Sequence, residues 1–213
     1  LTEEISVEGL VRDLLRFSRF LQKAALSCGD MLNFSNIASD LGVSPTTVRE
    51  YYRILDDTLL GYLVEPVRKP NSRKEVSTSK FYFFDVGVTN TLRAVTSVEE
   101  GTDYFGQVFE QFISQELRAA LDYQRVRQPL RFWRTHSQTE VDFVVGDQLA
   151  IEVKGSTSAS SRMTKGLRAF RKQFEVQHLC LVSRDPIERI EDGIQFLPYQ
   201  KFLRKLWAGE WFR

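Results

Sequence analysis

The stretch from Thr139 to Ser156, TEVDFVVGDQLAIEVKGS, decides the fold of the second half of the chain. Two short apolar runs flank Gly146-Asp147, a turn signal, and so predict a β-hairpin. Side chains alternate between the two faces of a strand, which places Asp142 on the same side of the hairpin as Glu152 and Lys154. Two carboxylates and an ammonium would converge on a hydrophobic sheet. Such a cluster costs free energy unless a cation or a substrate uses it.

Composition and length narrow the class of protein. The 213 residues are enough for one large domain or two small ones, and 42% hydrophobic residues with 16 Phe supply a core. No apolar run approaches the roughly 20 residues that span a bilayer, and no charged-then-apolar signal segment opens the chain. We therefore expect a cytoplasmic protein with no membrane contact. Its start at Leu1 rather than Met suggests a fragment or a processed chain.

Cysteine usage and charge say less about function. Cys28 and Cys180 lie in apolar surroundings without CxxC spacing, so we expect buried free thiols rather than a disulfide or a zinc site. The net charge of +1 does not by itself indicate nucleic-acid binding. The charge is locally uneven, because Arg68–Lys80 holds five basic residues and one acidic residue.

Two short helices joined by a glycine turn are predicted in the first part of the chain, after an amphipathic helix over residues 10–21. Ser35 is the expected cap of the first, which ends at Leu41 with Gly42 as a left-handed stop. Ser44 is the expected cap of the second, with Pro45 at its first position. We expect this second helix to have an inner face of Val48, Tyr52, Leu55 and Leu59.

Two apolar runs follow, Tyr62–Val64 and KFYFFDVG, around a loop rich in Arg and Lys. Two strands and a basic loop after a helix-turn-helix predict a winged helix over residues 1–98. Its expected DNA-binding residues are Thr46, Thr47, Arg49 and Arg53 for a groove, and Arg68, Lys69, Arg73 and Lys74 for phosphates.

A protein-docking role for this domain stays open on the same residues. Glu50, Asp56 and Asp57 are among the expected exposed charges of the second helix, and their carboxylates would repel phosphates.

Residues 99–213 are predicted to form an α/β domain with a mixed sheet. The predicted order is a helix, three strands, a helix over SSRMTKGLRAFRKQF, two strands and a terminal helix that starts at Pro198. The first helix carries an apolar face of Phe105, Val108, Phe109, Phe112, Ile113, Leu117 and Leu121.

In this domain the chain resembles the PD-(D/E)XK nuclease-like superfamily. The resemblance rests on Asp142, nine intervening residues and then Glu152-Val153-Lys154, with Glu110 on the leading helix as the extra acid of the resolvase-like members. Val141 stands where many members have Pro. The resemblance implies a restriction-endonuclease-like fold. The fold class expected for the chain is thus an N-terminal winged helix followed by that mixed-sheet α/β domain.

The chain is also similar to the C-terminal region that follows an AAA-type P-loop domain in many prokaryotic ATPases. The matching stretches run in order: IASDLGVSPTTVREYYRIL, KFYFFDVGVTNTL, GQVFEQFISQEL, RFWRTHSQTEVDFVV and AIEVKGS. This similarity implies an ATPase domain in cis, N-terminal to these residues. No GxxxxGK[ST] occurs in the sequence itself, so we expect no ATP hydrolysis by this part.

The resemblance implies metal-dependent hydrolysis of DNA phosphodiesters with Mg²⁺ or Mn²⁺. The implied ligands are Asp142, Glu152, the backbone carbonyl of Val153 and, directly or through water, Glu110. Lys154 is implied to orient or help deprotonate the attacking water and to offset charge in the transition state. Around this set, Arg134 and His136 are candidates for contact with phosphate. Glu140 is placed on the opposite face of the strand from Asp142 if the strand is regular that far, and is a candidate either for a supporting residue or for a solvated one.

Three functions remain open from the sequence: a metal-dependent endonuclease, a DNA-binding module without cleavage, and a docking or regulatory module of the ATPase. A basic helix follows the hairpin and is either a surface for phosphates or a solvated face. A homo-oligomer is also possible, since nucleases of this fold often pair.

Overall fold

The computed structural model describes residues 13–67 and 78–212. Within these residues the chain forms two compact units: residues 13–63 with 78–97, and residues 64–67 with 98–212. The described part contains seven α-helices and eight β-strands, and its sheet pairs strands in both directions. The predicted mixed α/β composition is therefore confirmed.

The first unit is built on helices α1 (Leu14–Leu26), α2 (Phe34–Leu41) and α3 (Pro45–Asp57). Its core is aromatic: Phe17 meets Tyr51 edge-on at 5.1 Å and Phe20 meets Tyr52 edge-on at 4.9 Å between ring centroids. Aromatic edge-to-face pairs stabilise a core beyond the area that they bury. The inner face predicted for α3 is confirmed at Val48, Tyr52 and Leu55, which are buried.

Helix boundaries in this unit follow local capping. Gly42 ends α2 with φ of 64°, and the Ser44 side chain accepts a hydrogen bond from the Thr47 amide at 3.1 Å, both as predicted. The prediction of Ser35 as the α2 cap is wrong. Asn33 caps α2 instead, accepting from the Asn36 amide at 3.0 Å. The helix therefore begins two residues earlier than expected.

Leu59 does not belong to the inner face of α3. The helix ends at Asp57, and Leu59 has φ of 59° and is 70% exposed. Its left-handed backbone turns the chain toward strand β1 (Gly61–Pro66), so helical periodicity no longer applies at this position.

Strand β2 (Lys80–Phe83) and helix α4 (Val86–Leu92) complete the first unit, and β2 lies beside the first half of β1. A side chain at Gly61 would overlap the Phe81 ring, so glycine is required for this close approach.

The predicted phosphate contacts of the basic loop, Arg68, Lys69, Arg73 and Lys74, lie outside the described residues.

The second unit follows the predicted order with one addition. Its elements are α5 (Asp103–Tyr123), β3 (Leu130–Arg134), β4 (Glu140–Val145), β5 (Leu149–Lys154), a 3-10 turn (Ser161–Thr164), α6 (Lys165–Phe170), β6 (His178–Ser183), β7 (Arg189–Glu191), β8 (Ile194–Pro198) and α7 (Tyr199–Trp207).

The strands of this unit, with the end of β1, lie in the order β1-β3-β4-β5-β6-β8-β7. The β1/β3, β5/β6 and β6/β8 pairs are parallel, and the β3/β4, β4/β5 and β7/β8 pairs are antiparallel. Parallel pairing needs a crossover, and α6 provides one between β5 and β6. This topology puts β5 at the centre of the sheet, with neighbours on both edges.

Two expectations for this unit need correction. β7 was not predicted, because three residues are too few to show alternation; the Asp192-Gly193 turn that joins it to β8 was the available signal. The helix expected over residues 160–174 is shorter, consisting of the 3-10 turn and α6, which ends at Phe170.

The core of the second unit lies between the sheet and its helices. Val144 and Ala150 of the hairpin pack in one cluster with Leu167 and Phe170 of α6, so α6 covers that face. The main helix α5 packs against β5. Both cysteines are buried free thiols, as predicted. Within the described residues, no helix is long and apolar enough to cross a membrane.

Candidate active site

The predicted hairpin is present and brings the two carboxylates together. β4 and β5 pair from Val145–Leu149 to Phe143–Ile151, a register that places Asp142 opposite Glu152. Next to that position, the Val153 amide donates to Asp142 Oδ2 at 2.7 Å. This hydrogen bond ties the Asp142 side chain to the backbone of β5.

Lys154 bridges the two acids. Its Nζ lies 2.7 Å from Glu152 Oε1 and 3.8 Å from Asp142 Oδ2. Asp142 is 5% exposed and Glu152 8%, whereas the Lys154 side chain is 35% exposed. The cluster is therefore open to solvent on the side of the ammonium.

One carboxylate oxygen in this cluster lacks a partner. Glu152 Oε2 is buried and makes no hydrogen bond within the described part of the chain. A buried acceptor without a donor costs about 1–3 kcal/mol, and more when charged. The arrangement is unfavourable for stability alone and leaves one acceptor of the cluster unsatisfied.

A glycine on α6 sets the close approach of that helix to the cluster. A Cβ at Gly166 would overlap the carbonyl oxygen of Glu140 and would lie 2.9 Å from Glu152 Oε2. Because glycine has no side chain, α6 can lie directly against the carboxylate pair. The sequence signal was a glycine inside a helical pattern, which often marks a close contact.

The electrostatics of the cluster are strongly coupled. Burial raises the pKa of Glu152 to about 8; the charge of Asp142 adds to this effect, and Lys154 opposes it. Burial by itself lowers the pKa of Lys154, but the charges of Asp142 and Glu152 outweigh it, so this pKa is raised. The raised pKa of Lys154 keeps its ammonium charged at neutral pH, and the raised pKa of Glu152 means that a proton competes with a cation for this carboxylate.

Glu110 lies on α5, within electrostatic reach of this group. It is half-buried, and its charge is among those that raise the pKa of Lys154. The structure thus brings the predicted residues close enough for the charges of Asp142, Glu152 and Glu110 to act on Lys154.

Glu140 is a part of the site that sequence reasoning misplaced. Residues two apart on a strand share a face, so Glu140 lies on the side of Asp142, and the assignment to the opposite face was wrong. Its charge adds to the rise in the pKa of Glu152. Arg134 Nη1 donates to Glu140 Oε2 at 2.7 Å, and Arg134 also donates to Gln138.

The two predicted phosphate contacts near the hairpin have different environments. Arg134 is 23% exposed and engaged with Glu140, so its first role is to neutralise that acid. His136 is exposed in the turn between β3 and β4 and points to no described partner.

The donor set suits a hard cation held by few protein ligands. Among the described residues, no three or more His, Cys, Asp and Glu side chains are grouped to hold a metal ion. The Asp142 and Glu152 carboxylates do converge, and Mg²⁺ is often bound by one or two carboxylates and several waters. The Val153 contact seen here uses its amide, while its predicted role uses its carbonyl. The residues fit a magnesium ion at a two-carboxylate site.

The loop after β5 is held by a network that the sequence did not reveal. Asp185 Oδ2 accepts from the Ala159 amide at 2.9 Å, and Arg189 donates to the Ala159 carbonyl at 2.7 Å. The hydrogen bonds from Ala159 and Ile187, aided by Arg189, lower the pKa of Asp185. This network fixes the chain that leaves the site at Lys154.

In the first unit, the side chains predicted to enter a DNA groove are mostly engaged. The Arg49 guanidinium stacks over Phe34 at 5.0 Å, and Arg53 pairs with Glu50 at 2.9 Å. Thr47 shares a hydrogen bond with the Ser44 hydroxyl, and Thr46 is exposed. All four lie on or beside the solvent side of α3.

Comparison with known proteins gives two adjoining family matches. Residues 1–99 match the family model of a domain of unknown function (DUF8612), and residues 105–202 match that of a second domain of unknown function (DUF4143). The carboxylate cluster lies entirely within the second match. No curated protein and no solved structure was found to match the chain. The chain thus carries matches to two domains of unknown function, and DUF4143 is commonly associated with AAA ATPases.

Proposed function

We propose that the second unit is a PD-(D/E)XK-like, metal-dependent DNA endonuclease and that the first unit is its winged-helix DNA-binding domain. One observation carries the proposal: Asp142, Glu152 and Lys154 converge, and Glu152 Oε2 is buried without a hydrogen-bond donor in the described residues. A purely structural cluster would be expected to satisfy that oxygen.

Asp142 and Glu152 would hold Mg²⁺ or Mn²⁺, with Glu110 reaching it through water and the Val153 carbonyl as a further ligand. When bound, the metal would polarise the scissile phosphate and lower the pKa of a bound water. In the hydrolysis, the water oxygen forms a P–O bond, the bond to the leaving sugar oxygen breaks, and a water proton ends on that oxygen.

Lys154 contributes a positive charge at the transition state. Its raised pKa keeps it protonated, so it donates hydrogen bonds rather than accepting the proton of water. Its 35% exposure leaves Nζ accessible to a phosphate oxygen, and an ammonium aimed at developing negative charge stabilises the transition state. Arg134 acts indirectly, because its ion pair with Glu140 holds that carboxylate beside Asp142 and Glu152.

The larger protein to which this chain belongs is proposed from sequence similarity. We propose that the chain works as the C-terminal part of an AAA-type ATPase, which the association of DUF4143 with such ATPases supports. In the first unit, α2 is followed by the Gly42 turn and then by α3, and this order supports a helix-turn-helix whose second helix would enter the major groove. DNA is the proposed partner and the cytoplasm the proposed compartment.

The test is cleavage of supercoiled plasmid and branched DNA in Mg²⁺ or Mn²⁺ by the native chain, Asp142→Asn and Lys154→Met. Glu175→Gln serves as a control at an exposed position with no assigned role in the site. We expect cleavage by the native chain, a loss of at least about 100-fold in both site variants, and little change in the control. Cleavage that survives in Asp142→Asn would overturn the assignment of the site.

A second candidate function is supported by the ion pairs of the same cluster. Lys154 already neutralises Glu152 at 2.7 Å, and no three-ligand group exists in the described residues. A cluster closed by its own ammonium would suit a DNA-binding or docking module without catalysis. DNA binding without cleavage in either metal would favour this candidate.

A further inference from the structure

An open depression of about 640 Å³ lies along α6 and the 3-10 turn before it. From residue 161 to residue 173 the chain has five Lys and Arg residues and no Asp or Glu. Four of these cations line the depression: Arg162, Lys165, Arg168 and Lys172. The depression is therefore bordered by cationic side chains from a single segment.

These cations differ from most others in their unit because they have few ion-pair partners. Of the four, Arg168 pairs with Asp192 at 2.9 Å. Arg162, Lys165 and Lys172 have no carboxylate partner among the residues that the structure describes. Elsewhere in the unit, cations pair at 2.7–3.3 Å: Arg131 with Glu65, Arg134 with Glu140, Arg184 with Glu100 and Arg189 with Asp185.

Concentrating like charges on one short segment is unfavourable for the folded protein by itself. Like charges one helical turn apart destabilise a helix by a few tenths of a kcal/mol per pair. Pairing with a polyanion would reverse this repulsion, since several phosphates would neutralise the cations together.

The depression lies close to the carboxylate cluster. Gly166, between two of the lining residues, sits against Glu152 Oε2 and the Glu140 carbonyl. An α-helix with its side chains is about 10–12 Å across, so the outer side of α6 is about one helix width from the carboxylates. A chain of phosphates following α6 would therefore run about one helix width from the acidic pair.

We propose that the depression on α6 binds the phosphodiester backbone of the DNA that enters the Asp142–Glu152 site. This inference rests on the proposed function and names the surface that carries its substrate. Lys and Arg contacts to phosphate position a nucleic acid without reading its sequence. The surface therefore supplies affinity rather than sequence preference.

The test is the binding of a fluorescently labelled DNA duplex by the full chain in EDTA, across a salt series. The surface variant is Arg162→Gln/Lys165→Gln/Lys172→Gln, which spares Arg168 because it pairs with Asp192. We expect the affinity for the duplex to fall at least about 10-fold. The slope of log affinity against log salt concentration should decrease in magnitude by about 2–3, because three phosphate contacts are lost.

The matched control removes the same charge elsewhere in the unit: Arg125→Gln/Arg127→Gln/Arg204→Gln, at three exposed positions. Its affinity and salt slope should stay near the native values. As a second readout, DNA should protect Lys165 and Lys172 from acetylation but leave Lys201 on α7 reactive.

The outcomes separate this inference from the proposed function. An unchanged affinity and salt slope in the surface variant, or unprotected Lys165 and Lys172, would overturn it even if the chain cleaves DNA. Loss of binding in that variant alone supports it even if no cleavage occurs. A native chain that binds no DNA, or that binds only single-stranded RNA, also overturns it.

Discussion

Glu152 determines how the site responds to pH. Its pKa is raised from 4.5 to about 8 in the folded chain, mainly by burial. Between these values the folded state binds more protons than the unfolded state, so stability falls as pH rises from about 5 to 8. A single group contributes at most about 1.4 kcal/mol per pH unit to this slope.

Replacing Glu152 by Gln should therefore flatten that dependence in metal-free buffer. We expect the variant to gain stability relative to the native chain as pH rises, measured by urea unfolding in EDTA at pH values of about 5.5, 7 and 8. Glu175→Gln, at an exposed position, is the control and should keep the native slope. A native stability that rises over this range and matches that of Glu152→Gln would contradict the account.

Lys154 is the counter-ion of two buried acids. Replacing it by Met leaves Asp142 and Glu152 without the ammonium, and breaking a buried pair typically costs about 3–5 kcal/mol. Because its side chain is 35% exposed, we expect a smaller loss of about 2 kcal/mol. Urea unfolding measures it, with Lys165→Met on the exposed side of α6 as a control expected within about 0.5 kcal/mol.

At the level of elements, Gly166 holds α6 against the hairpin. The substitution Gly166→Ala adds one methyl group, which would force the helix away from the Glu140 carbonyl, and overpacking typically costs about 1–3 kcal/mol. We expect this variant to have a lower thermal stability and a weaker site. It should also show faster amide exchange in α6.

The matched control is Gly106→Ala in α5, where a Cβ would meet no atom within 4 Å. This change should be neutral or stabilise the helix by up to about 1 kcal/mol, since Ala is the better helix former. Equal stability of the two alanine variants would show that Gly166 does not set the approach of α6.

The hairpin could be predicted because its signals are local. Turn residues and strand alternation brought Asp142, Glu152 and Lys154 together without any long-range information. The contact of Gly166 with Glu152, and the hold of Asp185 on Ala159, depend on packing between distant segments. The positions of these residues along the chain do not predict that they come into contact.

Other predictions from the sequence were wrong or incomplete. Asn33 and Ser35 are both good caps, and nothing local decides between them. The three residues of β7 carry too little pattern to be seen. Glu140 was misassigned although the alternation rule itself gives the right face.

At the scale of the whole molecule, the two units lie largely within adjoining matches to different domains of unknown function, although residues 64–67 belong to the second unit and to the first match. The aromatic core lies in the first, and the carboxylate cluster lies in the second. We propose that Asp142 and Glu152 of the second unit form a site for a divalent cation.

The most direct test of that claim is a titration with Mn²⁺ followed by electron paramagnetic resonance, with competition by Mg²⁺. We predict one site in the native chain, with an affinity that increases from about pH 6 to about pH 8 as Glu152 loses its proton. Asp142→Asn should weaken binding by at least about 10-fold. A native chain that binds no Mn²⁺ at millimolar concentration, or an Asp142→Asn variant that binds it equally well, would contradict the account.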